Sequence, residues 1–268
     1  TNDNHLAAIQ YPNKFTVSYS YTPSGYLKTV NDGSGNVLWK VDKTNARGQI
    51  EAVSLFGGQT ISNSYDPLTG HMATVRTQNA KGRDLVHWEY AFDKVGNLSS
   101  RHDVVHAMTE RFDYDALNRL TMVWQADTIA QRMAYDAAGN IVTKSDVGYY
   151  NYTNGSNRLQ YVQSRSYSPP VWDRVGYTSF GKIGNLVQEQ DSLDLLYGVD
   201  KTRKVAIMFR GKDIETTVYV GNLYERTYTA KHTEERMFVY AGGSLVAIVR
   251  NDGKTKDLYY VHKDHLGS

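Results

Sequence analysis

Two histidines stand four residues apart and are the first candidates for metal chemistry. His102 and His106 would share one face of a helix, which is the spacing that a pair of zinc ligands needs. In the His-Glu-x-x-His motif a glutamate follows the first histidine, whereas Asp103 takes that place here. Because the general base of a metalloprotease is missing, we interpret both histidines as hydrogen-bonded surface residues.

A second group of polar residues lies near the end of the chain. His262, Asp264 and His265 have the side chains for metal binding or for acid–base catalysis. Nothing nearby in the sequence supplies a third partner to orient them, which favours a structural role. Carboxylate pairs of the kind that glycosidases use occur at Glu189/Asp191 and at Glu234/Glu235. The sequence does not place any such pair across a groove, so we expect no catalytic residue, no metal site and no cofactor.

Composition excludes several classes of protein. The 268 residues contain 30 Lys and Arg against 28 Asp and Glu, a net charge of +2, which gives no case for a nucleic-acid partner. Cysteine is absent, which excludes a disulfide scaffold, a cysteine nucleophile and thiolate metal sites. No apolar run approaches the ~18 residues of a membrane span. Tyr is abundant at 21 residues and the mean hydropathy is −0.54, which suits thin sheets better than a thick apolar core.

One seven-residue pattern recurs along the chain: an aromatic residue, Asp, two variable residues, Gly, Asn and an aliphatic residue. Clear copies cover residues 92–98 and 135–141, residues 114–120 have Asn in the glycine slot, and residues 65–72 contain one extra residue. The predicted turn residues are Tyr65, Asp66, Gly70, Phe92, Asp93, Gly96, Asn97, Tyr114, Asp115, Asn118, Tyr135, Asp136, Gly139 and Asn140. Weaker copies are expected at residues 21–27, 31–37, 152–159 and 180–186, and a decayed copy at 197–201.

Each slot of the pattern has a physical reason. The Asp side chain accepts a hydrogen bond from a backbone N–H two residues later, which starts a turn. The fifth slot needs a positive φ, which Gly adopts freely and Asn adopts at least cost among the other residues. Such a turn closes a hairpin with a bulge, and the flanking aromatic and aliphatic residues then face each other on paired strands. The pattern therefore predicts hairpin turns and requires no catalysis.

The segments between these turns have the composition of β-strands. Residues 16–21, 216–220 and 237–240 are rich in β-forming residues, and residues 244–249 form an apolar run before a turn at 251–253. Residues 103–111 suit either two helical turns or a strand. We expect an all-β strip of stacked hairpins.

At these residues the sequence resembles the Rhs/YD-repeat family of bacterial proteins. The repeated Tyr-Asp pairs carry the resemblance, together with residues 45–50, residues 219–225 and the final segment from Tyr259. That segment ends in Asp264, His265, Leu266, Gly267 and Ser268, which resembles the signature that closes the repeat region. The resemblance runs from about Tyr21 to Ser268.

The resemblance implies an arc of a curved, hollow β-shell. Residues 1–268 would be a single shell segment, a fragment of a longer chain. Such shells enclose a C-terminal toxin or effector and help to deliver it to another cell, so the implied partners are a protein cargo and the remaining shell, and the implied location is secreted or on the bacterial cell surface. In toxin members a self-cleaving aspartyl site follows shell closure. It would lie after Ser268, so no protease residue is assigned here, and Asp66-Pro67 is assigned to a repeat turn.

Two other classes of function stay open. Exposed tyrosine rings stack on sugars as readily as on neighbouring strands, so a carbohydrate- or receptor-binding module that recognises a cell-surface glycan is the main alternative. An enzyme is the third, and it would require a cluster of Tyr, Asp and His in a deep pocket.

Overall fold

The computed structural model describes residues 5–155, 157, 159–164 and 174–264. Within these ranges the chain forms 24 β-strands and no helix. Within each sheet, strands that follow one another in the chain are neighbours, which is a meander. The prediction of an all-β chain of stacked hairpins is confirmed.

The strands form two sheets, in chain order within each. The first sheet contains β1 (Ala8–Gln10), β2 (Thr16–Tyr21), β3 (Leu27–Asp32), β4 (Val37–Thr44), β5 (Ile50–Leu55), β6 (Thr60–Tyr65), β7 (Met72–Gln78), β8 (Asp84–Phe92), β9 (Leu98–Asp103), β10 (Met108–Tyr114), β11 (Leu120–Gln125), β12 (Thr128–Tyr135), β13 (Ile141–Lys144), β14 (Gly148–Tyr152) and β15 (Leu159–Ser164). The second contains β16 (Arg174–Tyr177), β17 (Ile183–Gln188), β18 (Asp191–Tyr197), β19 (Arg203–Arg210), β20 (Asp213–Val220), β21 (Tyr224–Tyr228), β22 (Thr233–Ala241), β23 (Ser244–Asn251) and β24 (Lys256–Tyr260).

The strand predictions agree with the structure. Residues 16–21 form β2, and the segments predicted around residues 218, 238 and 246 lie within β20, β22 and β23. Along β12 exposed and half-buried side chains alternate strictly, as expected when successive residues point to opposite faces of a sheet. Of the two possibilities for residues 103–111, the extended one is observed, because β9 ends at Asp103 and β10 begins at Met108.

The chain divides into two compact units, Thr1–Asp42 with Val53–Gly57 and Pro170–Ser268, and Lys43–Ala52 with Gly58–Pro169. In the first unit, strands from both ends of the sequence share one core. Val17 and Val239 are both completely buried there, and the hydroxyl of Tyr11 donates to the backbone carbonyl of Phe238 at 2.8 Å. A thin core marks the second unit, where Val75, Thr77 and Tyr90 are buried. The interpretation of residues 1–268 as one shell segment stays a prediction.

One predicted repeat copy was placed three residues too late. The pattern at residues 180–186 put Phe180 in the aromatic slot, but the turn is closed by Lys182 donating to the hydroxyl of Thr178 at 3.0 Å. Gly181 has a φ of 79°, and Tyr177 faces Ile183 across the hairpin. Thr178 therefore takes the aspartate slot, because a hydroxyl accepts the same backbone hydrogen bond.

No helix in the described ranges is long and apolar enough to cross a membrane.

Candidate functional site

The repeated turns share one hydrogen-bonded arrangement, which we call the turn box. In the copy that follows β8, the backbone N–H of Asp93 donates to the carbonyl of Asn97 at 2.8 Å. Asp93 Oδ1 accepts the backbone N–H groups of Val95 and Asn97, each at 2.9 Å, and Asp93 Oδ2 accepts the Asn97 side chain at 3.0 Å. Gly96 has a φ of 91°. The carboxylate thus satisfies backbone donors that the tight turn leaves without strand partners.

The other copies vary one slot at a time. After β12, the carboxylate of Asp136 accepts the backbone and side-chain N–H groups of Asn140, which hold the pKa of Asp136 below its ordinary value. After β10, Arg119 replaces the asparagine, and its guanidinium donates to Asp115 Oδ2 at 2.7 Å. Backbone hydrogen bonding from Arg119 is the main cause of a lowered pKa at Asp115. Asn118 fills the glycine slot with a φ of 59°.

The copy with an extra residue closes differently. Asp66 Oδ1 accepts the backbone N–H groups of Leu68 and Thr69 at 2.9 and 2.7 Å, and it also accepts the Thr69 hydroxyl at 2.9 Å. The positive φ moves one position along the chain to Gly70, at 79°. The inserted residue is accommodated within the turn, because Tyr65 still faces Met72 across the hairpin.

Two further turn boxes were missed because Asn takes the aspartate slot in them and no aromatic residue precedes it. Asn45 Oδ1 accepts the backbone N–H groups of Arg47 and Gln49 at 3.0 Å, and Asn79 Oδ1 accepts those of Lys81 and Arg83 at 2.9 and 3.0 Å. An amide oxygen accepts hydrogen bonds in the same geometry as a carboxylate. The spacing Asn-x-x-Gly, present in both segments, would have identified them.

The aromatic slot has a role that sequence reasoning did not assign. The hydroxyl of Tyr135 donates to the backbone carbonyl of Leu120 at 2.7 Å, and Leu120 is the aliphatic residue of the preceding turn. The same bond joins Tyr21 to Leu6, Tyr65 to Ile50, Tyr114 to Leu98, Tyr152 to Ile141 and Tyr197 to Ile183, at 2.8–3.0 Å. In these six copies the tyrosine therefore ties its hairpin to the chain before it. Phe92 fills the slot without a hydroxyl.

Adjacent turns also contact each other directly. The His71 and Phe92 rings lie 4.6 Å apart, the Asn97 side chain donates to Asn118 Oδ1 at 3.1 Å, and Arg119 donates to the carbonyl of Asp136 at 3.2 Å. These contacts run along one edge of the sheet, because every second turn of a meander lies on the same edge. The turns after β6, β8, β10 and β12 therefore form a continuous row, which we call the turn row.

The histidines considered for metal binding are engaged elsewhere. Nδ1 of His102 lies 2.8 Å from the Thr109 hydroxyl, and Nδ1 of His106 lies 2.8 Å from Asp103 Oδ2 within the β9–β10 turn. In the described part of the chain, no group of three or more His, Cys, Asp or Glu side chains is arranged to hold a metal ion.

The carboxylate pairs lie in separate networks. The carboxylate of Glu234 forms ion pairs with Arg236 and Arg250, whereas Glu235 Oε1 accepts a hydrogen bond from the Tyr224 hydroxyl at 2.7 Å. The Oε2 atom of Glu235 accepts the side-chain amides of Asn13 and Asn251 at 2.9 and 3.0 Å. Asp191 accepts the backbone N–H of Gly211 at 3.2 Å, and Glu189 stands in a turn with a φ of 52°.

The predicted closing signature is described only in part. Asp264 is half-buried, and burial lowers the pKa of the nearby His262. His265, Leu266, Gly267 and Ser268 lie outside the described residues. Their role in closing a shell stays a prediction.

The first unit contains a cavity of about 420 Å³. Its lining comes from β1 and the segment before it and from the hairpins β2–β3, β20–β21 and β22–β23, and it includes Tyr19, Tyr21 and Tyr240. The described residues that line it include no carboxylate and no histidine. This cavity therefore offers tyrosine rings and aliphatic side chains, and its described lining holds no pair of carboxylates.

No protein-family model matches the sequence, and no curated protein matches it. Solved structures do. The crystal structure of TcdB2-TccC3 aligns with a TM-score of 0.79 and 17% identity over 99% of this chain and 17% of that chain. The chain has the fold of part of the TcdB2-TccC3 chains. The crystal structure of TcdB2-TccC3 without hypervariable C-terminal region gives 0.78 and 17% over 98% of this chain and 16% of that chain.

A third structure, TcdB2-TccC3-Cdc42, gives a TM-score of 0.68 and 17% identity over 95% of this chain and 17% of that chain. This chain therefore spans about a sixth of the length of the TcdB2-TccC3 chains that it matches. The resemblance recognised in the sequence is confirmed at the level of the fold.

Proposed function

We propose that this chain is a wall segment of a β-shell that encloses a polypeptide cargo. The observation that carries the proposal is the turn row, in which capped hairpins are tied to their neighbours by side chains. A meander built this way extends by adding hairpins, and each new hairpin requires only its predecessor as a partner. Such a wall is a structural scaffold, and the proposal includes no catalytic activity for this segment.

The wall would resist local opening. Neighbouring strands pair their backbone groups, the turn boxes satisfy donors within the turns, and the tyrosine hydroxyls add bonds between hairpins. Pairs of hydroxyl side chains also cross the strands, with Ser64 Oγ 2.7 Å from Thr74 Oγ1 and Thr217 Oγ1 2.9 Å from Thr227 Oγ1. A face with such polar pairs offers an unfolded cargo little apolar surface to bind.

The fold comparison supports the same proposal. The alignment is nearly as good to the TcdB2-TccC3 structure without its hypervariable C-terminal region as to the one with it. The fold shared with this chain therefore lies outside that region. By analogy, we propose that the cargo follows the shell in the full-length protein, and that secretion and delivery to another cell belong to the cargo-bearing whole.

Protease protection tests the proposal. The full-length protein would be treated with a nonspecific protease, and cleavage of its C-terminal region would be compared with cleavage of the same region expressed alone. We expect the enclosed region to be cleaved at least tenfold more slowly. Equal cleavage rates in the two samples would show that nothing is contained.

The glycan-binding alternative stays a prediction, and the tyrosine-lined cavity is where it is best tested. A glycan array probed with this chain would show saturable binding that Tyr19→Ala or Tyr240→Ala weakens. A passive wall segment would show none.

A further inference from the structure

Three exposed apolar side chains stand along the turn row. Leu68, Val95 and Leu117 each lie two residues after the aspartate of successive turn boxes. Their side chains are 86%, 71% and 69% exposed. The next box places Ala138, also exposed, in this position. Large apolar groups thus recur at one place in the repeat and face solvent there.

The turn box does not require an apolar residue at this position. The box uses only the backbone N–H, which donates to the aspartate Oδ1 at 2.9 Å for Leu68, Val95 and Leu117 alike. On the opposite edge of the sheet, Lys81 makes the same 2.9 Å bond to Asn79 Oδ1. Because lysine serves the turn equally well, the turn itself does not explain the exposed apolar row. Its regular recurrence along one edge makes it a candidate surface for packing.

The row has a fixed spacing. Successive turns on one edge are two strands apart, which corresponds to roughly 9.5 Å between stations. The ring contact between His71 and Phe92 and the bond from Asn97 to Asn118 hold the three turns against one another. The three apolar side chains are therefore presented at regular intervals by a preorganised edge.

We propose that this apolar row packs against a second row of hairpin turns belonging to another stretch of the same longer polypeptide. The inference rests on the proposed shell function. Turns in a second row also repeat every two strands, so each apolar side chain of the first row can meet one turn of the second row. An α-helix with one apolar residue per heptad advances roughly 10.5 Å and would drift by about 1 Å at each station.

The small size of the row favours a tethered partner. Three side chains supply a few hundred Å², well below the roughly 1,200 Å² that independent proteins need for a stable interface. A partner on the same chain has a high effective concentration, which makes a small contact sufficient. The toxin-complex chains with this fold have that length available, because this chain covers only 16–17% of them.

The absence of cysteine from the 268 residues allows a direct test. Single variants Leu68→Cys, Val95→Cys and Leu117→Cys would be made in the full-length protein, after replacement of any cysteines elsewhere in it. Lys81→Cys, in the matching position on the opposite edge, is the control. We expect maleimide to label the three row positions at least tenfold more slowly than Lys81→Cys in the native protein, and equally fast in urea. Native labelling at the control rate would overturn the proposal.

The partner is then identified by crosslinking. A photoactivatable maleimide attached at Val95→Cys would be irradiated in the native protein, and the linked peptide would be sequenced. Attachment to another Asp-x-x-Gly or Asn-x-x-Gly turn of the same polypeptide supports the proposal. Attachment to the cargo, to a second copy or to a different protein contradicts it.

The two proposals fail separately. If the cargo is protected from protease but maleimide labels the row at the control rate, the shell proposal is supported and the packing of the row is refuted. If the row is protected from maleimide and crosslinks to another turn, but the cargo is cleaved freely, the packing of the row is supported and containment of the cargo is refuted.

Discussion

The hydroxyl of Tyr135 lies 2.7 Å from the backbone carbonyl oxygen of Leu120, and this bond joins two hairpins that are successive in the chain. Tyr135 begins one turn box and Leu120 ends the preceding one. The guanidinium of Arg119 also lies over the Tyr135 ring, with 4.6 Å between its central carbon and the ring centroid. The tyrosine of the repeat is therefore an inter-hairpin tie, a role that phenylalanine cannot take because it lacks the hydroxyl.

Removing this tie should weaken the wall measurably. Tyr135→Phe keeps the ring and deletes only the hydroxyl, so we expect a loss of about 1 kcal/mol in the free energy of unfolding. Chemical denaturation monitored by circular dichroism would measure it. Tyr26→Phe is the matched control, because the Tyr26 side chain is 73% exposed and should change little. Equal effects of the two substitutions would show that the Tyr135 bond contributes nothing.

The glycine slot can be tested by backbone conformation alone. Gly139 has a φ of 88°, and a Cβ built there would have no heavy atom within 4 Å. Gly139→Ala should therefore cost about 1 kcal/mol from the left-handed conformation and nothing from steric overlap. Gly139→Asn should cost less, since Asn118 already adopts a positive φ in the equivalent slot. Thermal unfolding would rank the variants, and a more stable alanine variant would refute the strain.

The sequence predicted the turns better than it predicted their partners. The Asp-x-x-Gly-Asn spacing identified the turns after β8 and β12, because positive φ and aspartate capping are local properties. It missed Asn45 and Thr178 as substitutes for aspartate, since several side chains offer an equivalent acceptor oxygen. The Tyr11 hydroxyl donates to the backbone carbonyl of Phe238, which is 227 residues away in the sequence. No local sequence pattern encodes such a pairing.

The Glu235 cluster should make the first unit acid-sensitive. Burial alone would raise the pKa of Glu235, but hydrogen bonds to its carboxylate outweigh burial and lower the pKa below its ordinary value of 4.5. A lowered pKa in the folded state means that the stabilisation is present above pH 4.5 and is lost as the pH falls through the folded value.

Substitution at this position should reproduce that loss at neutral pH. Glu235→Ala leaves the donors of Asn13, Tyr224 and Asn251 without their acceptor, at a cost of about 1–3 kcal/mol. Urea denaturation at pH 7 and pH 4 would measure both effects, with the exposed Glu215→Ala as control. If the stability of Glu235→Ala falls between pH 7 and pH 4 as much as that of the wild type, other groups cause the acid sensitivity.

Tyr260 should make the same unit sensitive to alkali. Its hydroxyl donates to the carbonyl of Leu38 at 2.9 Å and accepts the backbone N–H of Phe56 at 2.8 Å. Burial raises the pKa of Tyr260 from 10.0 to about 12. Because the folded value is the higher one, the stabilisation is complete below pH 10 and is lost as the pH rises towards 12.

Tyrosinate absorbance during a pH titration would report this ionisation. Tyr260→Phe should remove one late-titrating group and lower the melting temperature at neutral pH. Tyr177→Phe, with a side chain 68% exposed, should leave the melting temperature unchanged. If Tyr260→Phe instead removes a group that titrates near pH 10, the Tyr260 hydroxyl is exposed to solvent and the proposed alkali sensitivity is refuted.

If the turn boxes hold together a wall that contains a cargo, breaking them in the full-length protein should expose that cargo. Valine would replace Gly70, Gly96 and Gly139 together, with exposed Lys94→Val as the matched control. The measurement is the rate at which protease cleaves the C-terminal region. We expect slow cleavage in the wild type and the control, and cleavage of the triple variant at the rate of the free region. Slow cleavage in all three proteins would show that the turn boxes do not hold the wall closed.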